Sequence, residues 1–268
     1  MSIQVPLNRW LPNSWASYSV NNFKSGATSH QVGLNGTALV DNNLSYSLQQ
    51  SFNNQGAANS SMLSSTYQGG YGTISGGYNY SNDSRQLNFG LQGGVLAHEN
   101  GITFSQPLGD TVVLVKAVGA KNVRIQNNTG VTTDWRGYAV VPYANSYQEN
   151  RVAIDTQSLG ADTDIAESVL NVVPTRGAIV RASFNARTGM RALLRLLYRG
   201  EPVPFGATLK QSDNNNFSIV GENGQVYLSG MQEKQLLEVS WNGNTCKASV
   251  ALPSDRKEMI INKDVFCN

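Results

Sequence analysis

The chain has 268 residues, enough for one large β domain or two to three ordinary ones with sizeable cores. Charged residues are 14% of it, against roughly 25% in an ordinary soluble domain, while it holds 26 glycines and 29 asparagines. That balance disfavours a helical bundle and full disorder alike, and a net charge of +2 gives no ground for a nucleic-acid partner.

No apolar run approaches the roughly 20 residues of a membrane helix. Ser2 to Pro12 lacks the basic and continuous apolar stretches of a signal peptide. The charges are unevenly placed. Residues 1–106 hold only Arg9, Lys24, Arg85, Asp41, Asp83 and Glu99, 6 of the 38 charges, and the following 162 residues hold the other 32. Two different solvents are implied, with a border near Gln106–Pro107.

Short alternating segments predict strands at 2–7, 14–22, 29–39, 44–53, 60–68, 71–80, 85–97 and 101–106. His30, Val32, Leu34, Gly36 and Ala38 share one face, and Leu87, Phe89 and Leu91 another. Asp41-Asn42-Asn43, Asn53-Asn54-Gln55-Gly56, Ser81-Asn82-Asp83-Ser84 and Asn100-Gly101 supply turns. A soluble sheet normally carries Lys, Glu and Arg on its wet face; here that face is Ser, Thr, Asn, Gln and Gly. Strands of this kind suit a barrel wall with lipid outside and water inside, and the tyrosines, with Trp10 and Trp15, suit aromatic girdles. A secreted Gly/Asn-rich sandwich has the same composition, and eight strands suffice to close a small barrel.

From Asp110 the pattern changes. Thr111–Val115 is a continuous apolar run, as in a strand buried on both sides. Further strands are predicted at 122–126, 137–141, 150–155, 169–173, 177–187, 191–199, 206–211, 217–220, 225–229, 235–242 and 245–252, with Asn223-Gly224 and Asn242-Gly243 as hairpin turns. Helical turns are predicted only at 162–171 and 253–261. Two compact β domains, 107–171 and 172–268, fit these lengths. Cys246 and Cys267 are the only cysteines; an even count without a histidine cluster fits an oxidising compartment better than metal binding, with two buried free thiols as the alternative.

Catalytic signatures are wanting. There is no G-x-S-x-G elbow, and no Lys-Ser/Thr follows Gly69-Gly70 or Gly76-Gly77. Asp162, Asp164 and Glu167 lack the glycine of a calcium loop and read better as a solvated helix start. The expectation is a protein that is not an enzyme, with no metal and no cofactor. Between Glu167 and Glu201 there is no acid, yet Arg176, Arg181, Arg187, Arg191, Arg195 and Arg199 accumulate. Arg191, Leu193, Arg195, Leu197 and Arg199 share one face of a predicted strand, either a partner-binding surface or a solvated one.

Several stretches resemble the C-terminal part of an outer-membrane usher of the chaperone–usher pilus pathway. They are Gly93–His98, Gln106–Thr111, Thr129-Gly130-Val131, Asp134-Trp135-Arg136-Gly137-Tyr138-Ala139, Val173–Ala178, Pro204-Phe205-Gly206-Ala207 and Gly224–Gly230. The resemblance implies an all-β fold: a partial transmembrane antiparallel β-barrel at 1–106, followed by two small β-sandwich domains, 107–171 and 172–268, in the periplasm. It also implies a disulfide between Cys246 and Cys267. The implied function is outer-membrane translocation and assembly of pilus subunits delivered by a periplasmic chaperone. The implied partners are chaperone–subunit complexes, pilus subunits and outer-membrane lipid. Donor-strand exchange between subunits, rather than a nucleotide, supplies the free energy. The residues assigned to chaperone–subunit contact are Arg176, Arg181, Arg191, Leu193, Arg195, Arg199, Phe205 and Tyr227. Met1 would fall in mid-barrel, making the chain a C-terminal usher fragment without the usher's N-terminal domain, plug and earlier strands. The rival expectation is a small self-closed outer-membrane barrel with an adhesin-like sandwich.

Overall fold

The computed structural model describes residues 1–23, 28–53, 59–212, 217–253 and 260–268. They form two compact units. The first comprises Met1–Lys116, Asn122–Asp155 and Val169–Ser183; the second comprises Ala117–Lys121, Thr156–Ser168 and Phe184–Asn268.

In the first unit, β1 (Ser2–Pro6), β2 (Ser14–Asn22), β3 (Thr28–Ala38), β4 (Leu44–Asn53), β5 (Ser60–Gly69), β6 (Gly72–Ser81) and β7 (Arg85–Gln92) form one antiparallel meander in chain order. Residues paired directly across an antiparallel sheet share a face. The register therefore stacks Ala16, Leu34, Leu48, Leu63, Tyr78 and Leu87 in one row. The neighbouring residues Ser17, Gly33, Gln49, Met62, Asn79 and Gln86 make a row on the opposite face. One face is thus apolar and the other nearly free of charge, which is the two-solvent wall that the alternation implies.

The turns follow residue chemistry. Asn42 takes a left-handed φ of 52° in the β3–β4 turn and its side chain accepts from Asn13 at 2.7 Å. Ser81 donates its N–H to the Ser84 carbonyl at 2.8 Å. The turn expected at Asn53–Gly56 lies, after Asn53, outside the described residues.

The strand expected over 85–97 is interrupted at Gly93. After β7 comes β8 (Gly94–His98), which pairs with β9 (Gly101–Ser105) as a separate hairpin. A Cβ at Gly93 would lie 3.1 Å from the Ser105 carbonyl oxygen and 3.3 Å from that of Tyr71. Backbones converge there, and the chain changes sheet where no side chain stands in the way.

β10 (Val112–Lys116) lies between β11 (Tyr138–Val141), antiparallel, and β15 (Ile179–Ser183), parallel. A strand flanked and covered in this way is apolar throughout, and Val112 to Val115 are all buried. β12 (Asn150–Ala153) pairs with β14 (Val169–Val172). The strand expected at 122–126 reduces to two isolated bridges, Arg124 to Thr132 and Ile125 to Ile154. Asn122 and Asn127, with φ of 56° and 58°, bracket it and limit its length.

In the second unit β13 (Thr163–Ile165) pairs with β16 (Ala186–Thr188). The helical turn expected at 162–171 is therefore absent: its β-branched residues enter β13 and β14, and the Ile165/Val169 spacing only imitates a helical period. Likewise the expected strand at 177–187 is two strands, β15 and β16, which belong to different units.

The rest is a sandwich. One sheet has β17 (Met190–Tyr198) at its centre, with β18 (Glu201–Pro202) and β21 (Gln225–Met231) antiparallel to it and β24 (Ile261–Cys267) parallel to it. The other runs β20 (Phe217–Ile219), β19 (Thr208–Gln211), β22 (Lys234–Trp241), β23 (Asn244–Ala251). Ala192, Leu194 and Leu196 of β17 meet Leu237 and Val239 of β22 and Ala248 and Val250 of β23 in one core. β24 was absent from the sequence-based strands; the expected helical segment at 253–261 lies mostly outside the described residues. Both Asn-Gly pairs take left-handed φ at both positions, but only Asn242-Gly243 (43°/79°) closes a hairpin, β22–β23; Asn223-Gly224 (55°/74°) instead ends a short 3-10 turn that carries the chain from β20 to β21 in the other sheet.

Cys246 on β23 and Cys267 on β24 form a disulfide with Cα atoms 5.6 Å apart. It joins the two sheets across the end of the core. Closing a loop over a sequence separation of 21 removes unfolded-state entropy equivalent to about 3 kcal/mol.

Candidate functional site

The outer face of the β17 sheet is the candidate interaction surface. On β17 the residues alternate strictly: Ala192, Leu194 and Leu196 are buried, whereas Leu193 and Leu197 are half-buried and Arg195 is exposed. Cross-strand register extends this outward row on both sides. Leu193 stands opposite Tyr227 of β21 and Asn262 of β24; Arg195 stands opposite Gln225 and Asp264; Leu197 stands opposite Phe266. Phe266 is 65% exposed and Tyr227 44%. The face thus carries Tyr227 and Leu193 on one side and Leu197 and Phe266 on the other of a row with one cation and one anion, Arg195 and Asp264.

The structure places the expected contact residues in five settings. Leu193, Arg195 and Tyr227 lie together on this face. Arg191 is half-buried at its end, donates a hydrogen bond to the Thr163 carbonyl, and has its Nε buried without a partner. Arg199 is not on the strand face at all: with Gly200 it forms the β17–β18 turn, at φ of 53° and 88°, and its guanidinium stacks 5.1 Å from the Tyr198 ring. Left-handed φ at both positions is the type I′ turn of two-residue hairpins, and it takes Arg199 off the pleat. Phe205 is 76% exposed in the β18–β19 connection, on an open groove of about 380 Å³ lined also by Trp241 and Asn244.

Arg176 and Arg181 belong to the first unit. Arg176 is exposed before β15, and Arg181 on β15 pairs with Glu99 of the β8–β9 turn. The arginine-rich stretch is therefore divided between units. Residues that sequence reasoning missed are Asn262, Asp264 and Phe266. The available signal was Val265 and Cys267 alternating about Phe266 just after the last predicted strand. Among the described residues no group of three or more His, Cys, Asp or Glu is disposed to hold a metal.

In the first unit Arg124 gathers two acids. It donates to Asp155 at 2.6 and 3.0 Å and lies 3.3 Å from Asp41 of the β3–β4 turn. The Asp155 hydrogen bond raises its pKa above the ordinary value against a smaller lowering by desolvation.

Residues 1–184 match the family model described as outer membrane usher protein, and residues 193–254 match that of the PapC C-terminal domain. The chain is 46% identical to the outer membrane usher protein FimD of Escherichia coli strain K12, over 97% of this chain and 31% of that protein. It is 45% identical to the usher LpfC of Salmonella typhimurium strain LT2, over 95% of this chain and 30% of that protein. It therefore spans about a third of the length of these relatives. Among solved structures, an E. coli P pilus tip assembly intermediate, PapC–PapD–PapK–PapG, superposes with a TM-score of 0.62 at 24% identity, over all of this chain and 33% of that one. An all-β wall followed by β domains is thus a fold shared with a solved structure. The two family models follow one another along the chain without overlap, and on them and the relatives together this chain belongs to the outer membrane usher family.

Proposed function

We propose that the chain works in passing pilus subunits, delivered by a periplasmic chaperone, across the outer membrane and in assembling them there. The meander β1–β7 contributes barrel wall, with its apolar row toward lipid and its uncharged polar row toward the pore. The same reading divides the chain into barrel strands at 1–106 and two periplasmic β domains, 107–171 and 172–268. The outer face of the β17 sheet receives chaperone–subunit complexes, through Leu193, Arg195, Tyr227 and Phe266, with Phe205 as a separate apolar point. Nothing in this role calls for a catalytic group, a nucleotide or nucleic acid.

The observation that carries the assignment of the face is its surplus apolar surface. The core beneath is complete, with Leu194, Leu196, Leu209 and Leu237 at 0% exposure, so Tyr227 and Phe266 add nothing to it from outside. The test is binding of a purified chaperone–subunit complex to the protein with Phe266→Ser and Tyr227→Ser together. The expected result is affinity lowered at least about tenfold with thermal unfolding unchanged, the scale of two truncated anchors. Unchanged affinity removes this face from the site. The self-closed small barrel is not favoured: β1 and β7 are the two ends of the strand path, and the relatives cover nearly the whole chain.

A further inference from the structure

We propose that Arg136 is the positioning residue that fixes the β8–β9 hairpin on the first C-terminal sheet, and that the Asp134–Tyr138 turn is built to present it. The turn starts from a buried carboxylate. Asp134 Oδ1 accepts the backbone N–H of Arg136 at 2.8 Å and that of Tyr138 at 2.9 Å, and Gly137 closes the turn at a φ of 89°. Asp134 Oδ2 accepts from Arg136 Nε at 3.1 Å and Nη2 at 2.8 Å, so the same carboxylate shapes the turn and aims the guanidinium. The Tyr138 ring lies 5.4 Å from its centre.

The other hydrogen bonds of the guanidinium go to the hairpin. Nη1 donates to the Asn100 carbonyl at 3.0 Å, and Nη2 donates to the Ile102 carbonyl and to Thr103 Oγ1 at 3.1 Å. One planar side chain thus holds two backbone carbonyls and one hydroxyl, at Asn100, Ile102 and Thr103, on either side of Gly101 where β9 begins. Gly101 fits this passage: its φ is 118°, and a Cβ there would lie 2.5 Å from Arg136 Nη1. Leu96, on the same face of the hairpin, packs with Val112, Leu114, Tyr138 and Val140. The opposite face carries Val95, Ile102 and Phe104, each more than half exposed. Among the described residues β9 pairs only with β8. Arg136 therefore decides where an apolar face and an open strand edge of the outer-membrane wall are held.

Hydrogen–deuterium exchange on the full chain in detergent micelles tests this. Arg136→Ala should speed exchange at Gly101–Ser105 by about tenfold or more, while exchange at Val112–Lys116 and Tyr138–Val141 stays as it was. Arg136→Lys, which fits the fold with one ammonium in place of the fork, should fall between. Gly101→Ala should loosen the same amides, and by a smaller factor in the Arg136→Ala background, because there its methyl no longer meets the guanidinium. Unchanged exchange at 101–105, an equal rise in β10 and β11, or additive effects in the double variant would each overturn the assignment.

Discussion

The meander β1–β7 and the sandwich of β17–β24 obey the same two-residue period with opposite outcomes. In the sandwich the apolar face is sealed: Leu194, Leu196, Leu209 and Leu237 have no exposure at all. In the meander the apolar face is open, with Leu48, Leu63, Leu87 and Phe89 between 44% and 89% exposed. The polar faces differ in kind as well. The outward face of the sandwich carries Lys210, Glu238 and Lys247, while the meander carries Ser, Asn, Gln and Gly. Alternation alone therefore does not say which side is wet. Charge does, because Lys and Glu belong in bulk water and an apolar face without a second sheet belongs in hydrocarbon.

The sharpest way to break this comparison is to separate the pieces. Residues 184–268, expressed alone in the periplasm, should fold as a soluble, cooperatively melting β domain, and residues 1–92 should not. Size-exclusion chromatography and circular dichroism decide; a soluble monomer from 1–92 would remove the lipid-facing reading. Next in size is Leu194→Ala, expected to cost about 2–5 kcal/mol in denaturant unfolding of the second unit, whereas Leu48→Ala on the open face should cost far less. Third, replacing Cys246 and Cys267 with serine, or reducing them, should cost the same unit about 3 kcal/mol. Labelling of both thiols in unreduced, denatured periplasmic protein would contradict it. The smallest effect is expected for Arg195→Glu: stability within about 0.5 kcal/mol, with slower association of a chaperone–subunit complex that salt no longer slows further. Arg191 is unsuited to that experiment, because its buried Nε and its bond to Thr163 make a charge reversal there a folding change.

Much of this was legible in the residues. Period-two alternation located most strands to within a residue or two, and Asn100-Gly101 and Asn242-Gly243 located the β8–β9 and β22–β23 hairpins. These are local properties: each is set by side chains a few positions apart and by the medium they face. The resemblance of short motifs supplied the disulfide pairing and the family. What tertiary structure alone decided concerns partners. Nothing near Gly93 says that β7 stays with β6 while β8 leaves to join β9; the close approach of the Ser105 and Tyr71 carbonyls does. Ile165 and Val169 look helical in sequence until Ala186 and Ala153 stand opposite them. β24 reads as a tail until it lies parallel to β17, seven residues in register, bringing Phe266 beside Leu197. A strand's period is written in its own residues, but its neighbour is chosen by a chain segment tens of positions away, through backbone hydrogen bonds that carry no side-chain signature.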